Sequence, residues 1–237
     1  MGSIKGVIFD LDGTLIDSLG ALTHVFNEVI LTFDVGPISK ERLATYLNRA
    51  YGLEEMLLEL APHAFNNKDV IRKSMDDMRK AYYRIEKESV CLIPGAQEVL
   101  SSLKMKGLKL GIVTARKSFG EVKWRELRRL NISQFIDAMV TGAEAPRKPA
   151  PDGIIKCLKE LRLSPQESIF VGDTQMDIIA GNRANVRVVA ISTGIVEMEK
   201  LAAEKPTALI KNLTQLVATI QELEKGTSSA EGLDKYG

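Results

Sequence analysis

Short continuous apolar runs alternate along most of this chain with stretches in which apolar residues recur at helical spacing. The clearest runs cover residues 4–9, 110–114, 168–171 and 188–191, with a weaker one at 136–140. Each is rich in β-branched residues and predicts a strand buried on both faces. Between them, Ala96, Val99, Leu100 and Leu103 share one helical face, with Gly107 placed as a C-terminal cap. Ile154, Ile155, Leu158 and Leu161 form a second such face, and Leu213, Leu216, Val217, Ile220 and Leu223 a third. Buried strands separated by amphipathic helices predict an α/β fold, a doubly wound parallel sheet covered by helices.

One interval breaks this alternation. Residues 18–88 hold no convincing strand and three helical stripes. Leu19, Leu22, Phe26, Val29, Ile30 and Phe33 make the first, Leu53, Met56, Leu57 and Leu60 the second. Ile71, Met75, Met78, Tyr82 and Ile85 step by four and three in turn, as residues on a helix–helix seam do. The pattern predicts a core of residues 1–17 and 89–225, a small helical bundle inserted at 18–88, and a disordered polar tail at 226–237.

Composition narrows the function classes. Lys and Arg number 32 against 31 Asp and Glu, a net charge of +1 that gives no global field for nucleic acid or an anionic membrane. No apolar run approaches the ~20 residues of a membrane span, and no signal-peptide pattern stands at the start. Two cysteines, Cys91 and Cys157, are too few for a disulfide framework and are expected to be reduced and buried, in a cytoplasmic protein. Two histidines make no histidine-rich metal site, and His24 is expected to fill a structural role on the first inserted helix.

The chemistry gathers where strands end. The first run stops at Asp10-Leu11-Asp12-Gly13-Thr14, the second at Thr114-Ala115-Arg116, and the fourth at Gly172-Asp173-Thr174-Gln175-Met176-Asp177. Lys148-Pro149-Ala150-Pro151 follows the third. In an open parallel sheet, ligands bind beyond the carboxyl ends of the strands. A calcium loop starting at Asp10 would need a glutamate where Ala21 stands. Carboxylates at 10, 173 and 177 brought together would repel unless a divalent cation joined them, and an oxygen-only set favours Mg2+.

These segments, in this order, resemble the four motifs of the haloacid dehalogenase-like hydrolases, and within them the phosphoglycolate phosphatase-like and β-phosphoglucomutase-like group. The resemblance covers residues 4–224 and makes the helical insert similar to the family's mobile cap. It implies a Mg2+-dependent phosphatase acting on a small phosphorylated metabolite, a monomer or homodimer. Asp10 would be the nucleophile, forming an aspartyl-phosphate, and Asp12 the general acid and base. Asp10, the Asp12 carbonyl, Asp173 and Asp177 would hold the metal, while Thr114 and Lys148 would hold the phosphoryl oxygens. The second motif departs from the family by placing Ala115 where an asparagine is common, and Arg116 is a candidate anion contact in its stead. Arg49 and Tyr51, in a loop of the insert, are candidates for substrate contact. Asp12 argues against dehalogenation, and Leu22, where the mutases place a histidine, against a mutase. A phosphomutase or pyrophosphatase on the same site, and an inactive binding or signalling module, stand as alternatives.

Overall fold

The computed structural model describes residues 3–48, 51–65, 67–118, 121–193 and 196–231. The chain divides into two units, Met1–Leu15 with Leu92–Gly237, and Ile16–Cys91.

In chain order the elements are β1 (Gly6–Phe9), β2 (Ile16–Asp17), α1 (Leu19–Ile30), α2 (Lys40–Asn48), α3 (Leu53–Leu60), α4 (Lys68–Ser89) and β3 (Cys91–Leu92). They continue as α5 (Ala96–Met105), β4 (Lys109–Thr114), α6 (Val122–Arg129), β5 (Ala138–Thr141), α7 (Asp152–Leu161) and β6 (Ser168–Gly172). The last are α8 (Gln175–Arg183), β7 (Arg187–Ile191), α9 (Met198–Ala203), β8 (Ala208–Ile210) and α10 (Leu216–Glu231).

The larger unit is built on a six-stranded sheet in the order β5-β4-β1-β6-β7-β8. All its pairings are parallel, with Phe9 in register with Ile112 on one side and Val171 on the other. The chain winds outward from β1 through β4 to β5, then crosses to β6 and winds the other way. This reversal places the topological switch point at the carboxyl end of β1. All four residues of β1 are buried, as its continuous apolar sequence predicts.

One face of the sheet packs Ile8, Val113, Val140 and Phe170 against Ile154, Cys157, Leu158 and Leu161 of α7 and Ala180 of α8. Helix α5 packs on β4 and against α10. It ends in a Schellman motif: Gly107, at φ +78°, donates to Lys104 O, and Leu108 N donates to Leu103 O.

The smaller unit contains four helices around their own apolar cluster, in which Phe26, Ile30, Leu43, Met56, Leu57 and Phe65 are fully buried. Helix α2 lacked a visible stripe because only Leu43 and Ala44 of its nine residues are buried. His24 lies on α1, exposed beside Glu28.

The structure differs from the sequence expectations in three places. Strand β8 is a three-residue edge strand with one fully buried residue, too short to leave a pattern. Helix α10 runs to Glu231, past the expected start of the tail. Cys91 is exposed rather than buried, in a strand of only two residues; Cys157 is buried under the sheet. The remainder of the expected tail, 232–237, lies outside the described residues. Among the described residues no helix is long and apolar enough to cross a membrane.

Candidate active site

Asp10 is the first residue past β1, and its N–H donates to Val171 O of β6. That bond continues the parallel ladder by one residue and fixes the carboxylate at the switch point. Asp173 follows β6 directly, and Asp177 lies in the first turn of α8. The three are 6%, 2% and 1% exposed, and one carboxylate oxygen of each lies within 4.8 Å of the others.

Lys148 binds this cluster from the loop before α7. Its Nζ donates to Asp10 Oδ1, to Asp177 Oδ1 at 2.5 Å, and sits 5.5 Å from the Phe170 ring centroid. Two of the carboxylates are also held by neighbouring hydroxyls. Asp177 Oδ2 accepts from Thr174 N and Oγ1 in the capping box that opens α8. Asp173 Oδ1 accepts from Thr14 Oγ1 at 2.9 Å and Oδ2 from Thr193 Oγ1 at 3.3 Å.

Among the described residues, the Lys148 ammonium stands against three buried carboxylates. Burial pushes the Asp10 carboxyl up to about 7, and the charges of Asp177 and Asp12 add to this against the opposing pull of Lys148. Burial likewise raises Asp173 well above the usual carboxylate range, helped by Asp177 and Asp10. Burial alone would lower the Lys148 ammonium, but Asp10 and Asp177 outweigh it and hold the lysine charged. Buried acidic oxygens in excess of their cation, with Asp173 and Asp177 already oriented by hydroxyls, fit a hard divalent ion such as Mg2+.

Gly13 makes the close approach possible. Its φ is +87°, and a Cβ there would lie 2.3 Å from Asp173 Oδ2. Gly13→Ala should therefore cost about 1–2 kcal/mol in backbone strain and displace Asp173. The expected result is a lower melting temperature and, if the cluster holds a divalent cation, roughly tenfold or more weaker binding of it by titration calorimetry. Unchanged Mg2+ affinity would contradict this account of Asp173.

Asp12 and Arg116 form a second group in the same unit. Arg116 Nε donates to Asp12 Oδ2 at 2.8 Å and Nη2 to Oδ1 at 2.6 Å. Arg116 Nη1 donates to Glu126 Oε2 at 2.5 Å. Thr114, buried at the end of β4, accepts from Arg116 N at 3.2 Å.

The structure thus brings together Asp10, Asp173, Asp177 and Lys148, while Asp12 lies just past β1, Thr114 ends β4 and Arg116 lies two residues beyond it. Arg116 is engaged by two carboxylates instead of standing as an open anion contact. Tyr51 belongs to the other unit, where its ring lies 5.5 Å from that of Tyr46. Arg49 lies outside the described residues. Glu126 and Thr193 were not foreseen. A glutamate inside the basic run of α6, and a threonine after β7, carry no local signal that would single them out.

Comparison with known proteins finds relatives over nearly the whole chain. The chain is 29% identical over 230 residues to a protein of Caldanaerobacter subterraneus subsp. tengcongensis named "Putative pyrophosphatase PpaX", covering 92% of this chain and 95% of the relative. It is 27% identical over 235 residues to the phosphoglycolate phosphatase of Escherichia coli K12, covering 92% of each chain. A solved structure described as a predicted phosphoglycolate phosphatase from Haemophilus somnus superposes with a TM-score of 0.80, covering 92% of this chain and 99% of that one. At 24% identity that likeness is one of fold. The family profile of the haloacid dehalogenase-like hydrolases matches residues 7–191, from β1 to the end of β7. With that span enclosing every strand end that carries a buried carboxylate, the chain belongs to the haloacid dehalogenase-like hydrolase family.

Proposed function

We propose that the protein is a cytoplasmic, Mg2+-dependent phosphatase of a small phosphorylated metabolite, working through an aspartyl-phosphate on Asp10. The observation that carries this reading is the buried cluster of Asp10, Asp173 and Asp177 closed by the Lys148 ammonium. The phosphatase names of relatives across nearly the whole chain support it.

Asp10, Asp173, Asp177 and the Asp12 carbonyl would hold the Mg2+. When bound, the ion neutralises charge at the cluster and on the phosphoryl group. In the first step an Asp10 oxygen bonds to phosphorus as the bond from phosphorus to the leaving oxygen breaks, and Asp12 gives that oxygen its proton. In the second, Asp12 takes a proton from water, whose oxygen attacks the phosphorus, and Asp10 leaves as carboxylate. Lys148 compensates the charge on Asp10 and the transferring group, and the Thr114 hydroxyl donates to a phosphoryl oxygen. Positioning and electrostatics then supply most of the acceleration. The helical unit at 16–91 serves as the cap that selects the substrate. Pyrophosphate is the second reading, favoured by the name of the Caldanaerobacter relative.

The test is phosphate release from a panel of alkyl phosphates, sugar phosphates and pyrophosphate at pH 7, with Mg2+ and then with chelator. Turnover that needs Mg2+ is expected, and its ranking across the panel distinguishes a monoesterase from a pyrophosphatase. Metal binding should also stabilise the folded chain by about 2.7 kcal/mol at a hundredfold excess over Kd, read as a higher melting temperature. Absence of turnover on every member, with Mg2+ bound, would defeat the phosphatase reading and favour a binding role.

A further inference from the structure

The described part of the loop after β4, residues 115–118, is tied down at Arg116 and Ser118. Arg116 N donates to Thr114 Oγ1 at 3.2 Å, Gly142 N donates to Arg116 O at 3.0 Å, and Thr141 Oγ1 donates to Ser118 O at 2.7 Å. Thr141 Oγ1 also bonds Glu144 at 3.1 Å, so β5 and its following turn act as the anchor. The guanidinium at the end of this braced segment is held again by Glu126, whose side chain is 9% exposed and which Arg129 approaches at 3.9 Å. The remaining edge of the guanidinium grips both oxygens of Asp12.

A bidentate arginine–carboxylate pair fixes the plane of the carboxylate as well as its place. Asp12 has two side-chain torsions and 29% side-chain exposure, so without such a partner it would sample several rotamers. The guanidinium charge is matched by Asp12 and Glu126, which leaves it poorly suited to receive a substrate anion.

We infer that Arg116, braced by Glu126 and the β5 turn, is the positioning residue that orients Asp12 for proton transfer to the leaving oxygen: when Asp12 takes up the proton it later gives, one guanidinium N–H stays on its unprotonated oxygen and the other oxygen carries the proton toward the leaving group. The inference rests on the proposed role of Asp12 as the general acid. It also accounts for the departure in the second motif: the residue two places beyond Thr114 acts on Asp12 rather than on the phosphoryl group.

Leaving-group chemistry separates these roles. An alkoxide must be protonated as it departs, whereas p-nitrophenolate leaves without help. A misplaced acid therefore slows alkyl phosphates selectively, while a lost phosphoryl contact slows both classes together. The experiment compares kcat/KM, which covers the steps through departure of the alcohol, for the full chain with Mg2+. The substrates are the best alkyl phosphate of the panel and p-nitrophenyl phosphate, and the enzymes are wild type, Arg116→Met, Arg116→Lys and Glu126→Gln. Arg116→Met should lose about 100-fold on the alkyl ester and under about fivefold on the aryl ester. Arg116→Lys, which keeps the charge and loses the fork, should fall between. Glu126→Gln, which preserves the side-chain shape if Arg116→Met folds poorly, should show the same selectivity with a smaller loss.

Equal losses on both esters, or no loss on either, would overturn the inference. Crystal structures of wild type and Arg116→Met give an answer independent of turnover. The Asp12 carboxylate is expected to leave its wild-type rotamer in the variant, and retention of that rotamer would overturn the positioning role. Wild-type inactivity on both esters would instead strike at the phosphatase reading, with the crystallographic comparison still deciding what Arg116 does to Asp12.

Discussion

Asp10→Asn is expected to lower phosphate release by at least about 10^4-fold while leaving the fold intact. The amide has nearly the shape of the carboxylate and can still accept from Lys148, so the buried contacts of β1 survive. It has no anionic oxygen to form the bond to phosphorus, so no phosphorylated enzyme can accumulate. Acid-quenched wild type should yield a phosphorylated peptide containing Asp10, and the variant none. The stability change should run opposite to the activity change. Burial pushes the Asp10 carboxyl from its ordinary 3.8 up to about 7, so ionising it costs stability. That cost sets in as the pH rises above the ordinary value and is complete once the pH has passed the raised one. At pH 8 without metal the neutral asparagine removes this burden, and the variant should melt no lower than wild type. A variant that releases phosphate at near wild-type rate would remove Asp10 from the nucleophile role.

Lys148→Met should be damaging in both respects. The ammonium is 10% exposed and compensates Asp10 and Asp177, whose side chains are 9% and 1% exposed. Removing one partner of a buried ion pair typically costs about 3–5 kcal/mol, because the remaining charge stays buried without its counter-ion. Here two carboxylates lose their cation and Asp173 stands beside them, so the metal-free variant is expected at the upper end of that range at pH 8. The loss should shrink as the pH falls and Asp10, raised by burial to about 7, takes up a proton, and a divalent cation should recover part of it by supplying positive charge. Turnover should fall about 10^3-fold, the scale of losing one preorganised donor at a transferring group. Denaturant unfolding at pH 5.5 and 8, with and without Mg2+, reads the stability arm. A loss that is the same at both pH values would mean that Lys148 stabilises through packing on Phe170 rather than through its charge.

Local pattern was enough to find most of the sheet. Continuous apolar runs such as residues 6–9 and 168–172 bury every residue, and burial on both faces is what writes such a run. Because Asp10, Thr114 and Asp173 stood at the ends of such runs, their places at strand ends were legible before any tertiary contact was known. Strand β8 left no mark, since a three-residue edge needs only one buried residue. Helix α2 left little, since only Leu43 and Ala44 of its nine residues are buried.

What the sequence by itself offered was therefore a set of candidates: Asp10, Asp12, Thr114 and Asp173 at or just past strand ends, Lys148 in the loop before α7 and Asp177 in the first turn of α8. Their order along the chain and the adjacency of the first four to buried strands follow from short-range chemistry. What only the tertiary structure decided was how these groups pair. Lys148 meets Asp10 across 138 residues, and Arg116 meets Asp12 across 104. Whether an arginine in a loop faces solvent, a substrate anion or a carboxylate depends on the strand order that folds β1 beside β4 and on the helix that brings Glu126 behind it. Periodicity reports burial of a residue's own segment. The partner of a charged side chain is set by the packing of distant segments, and that information lies in no local window.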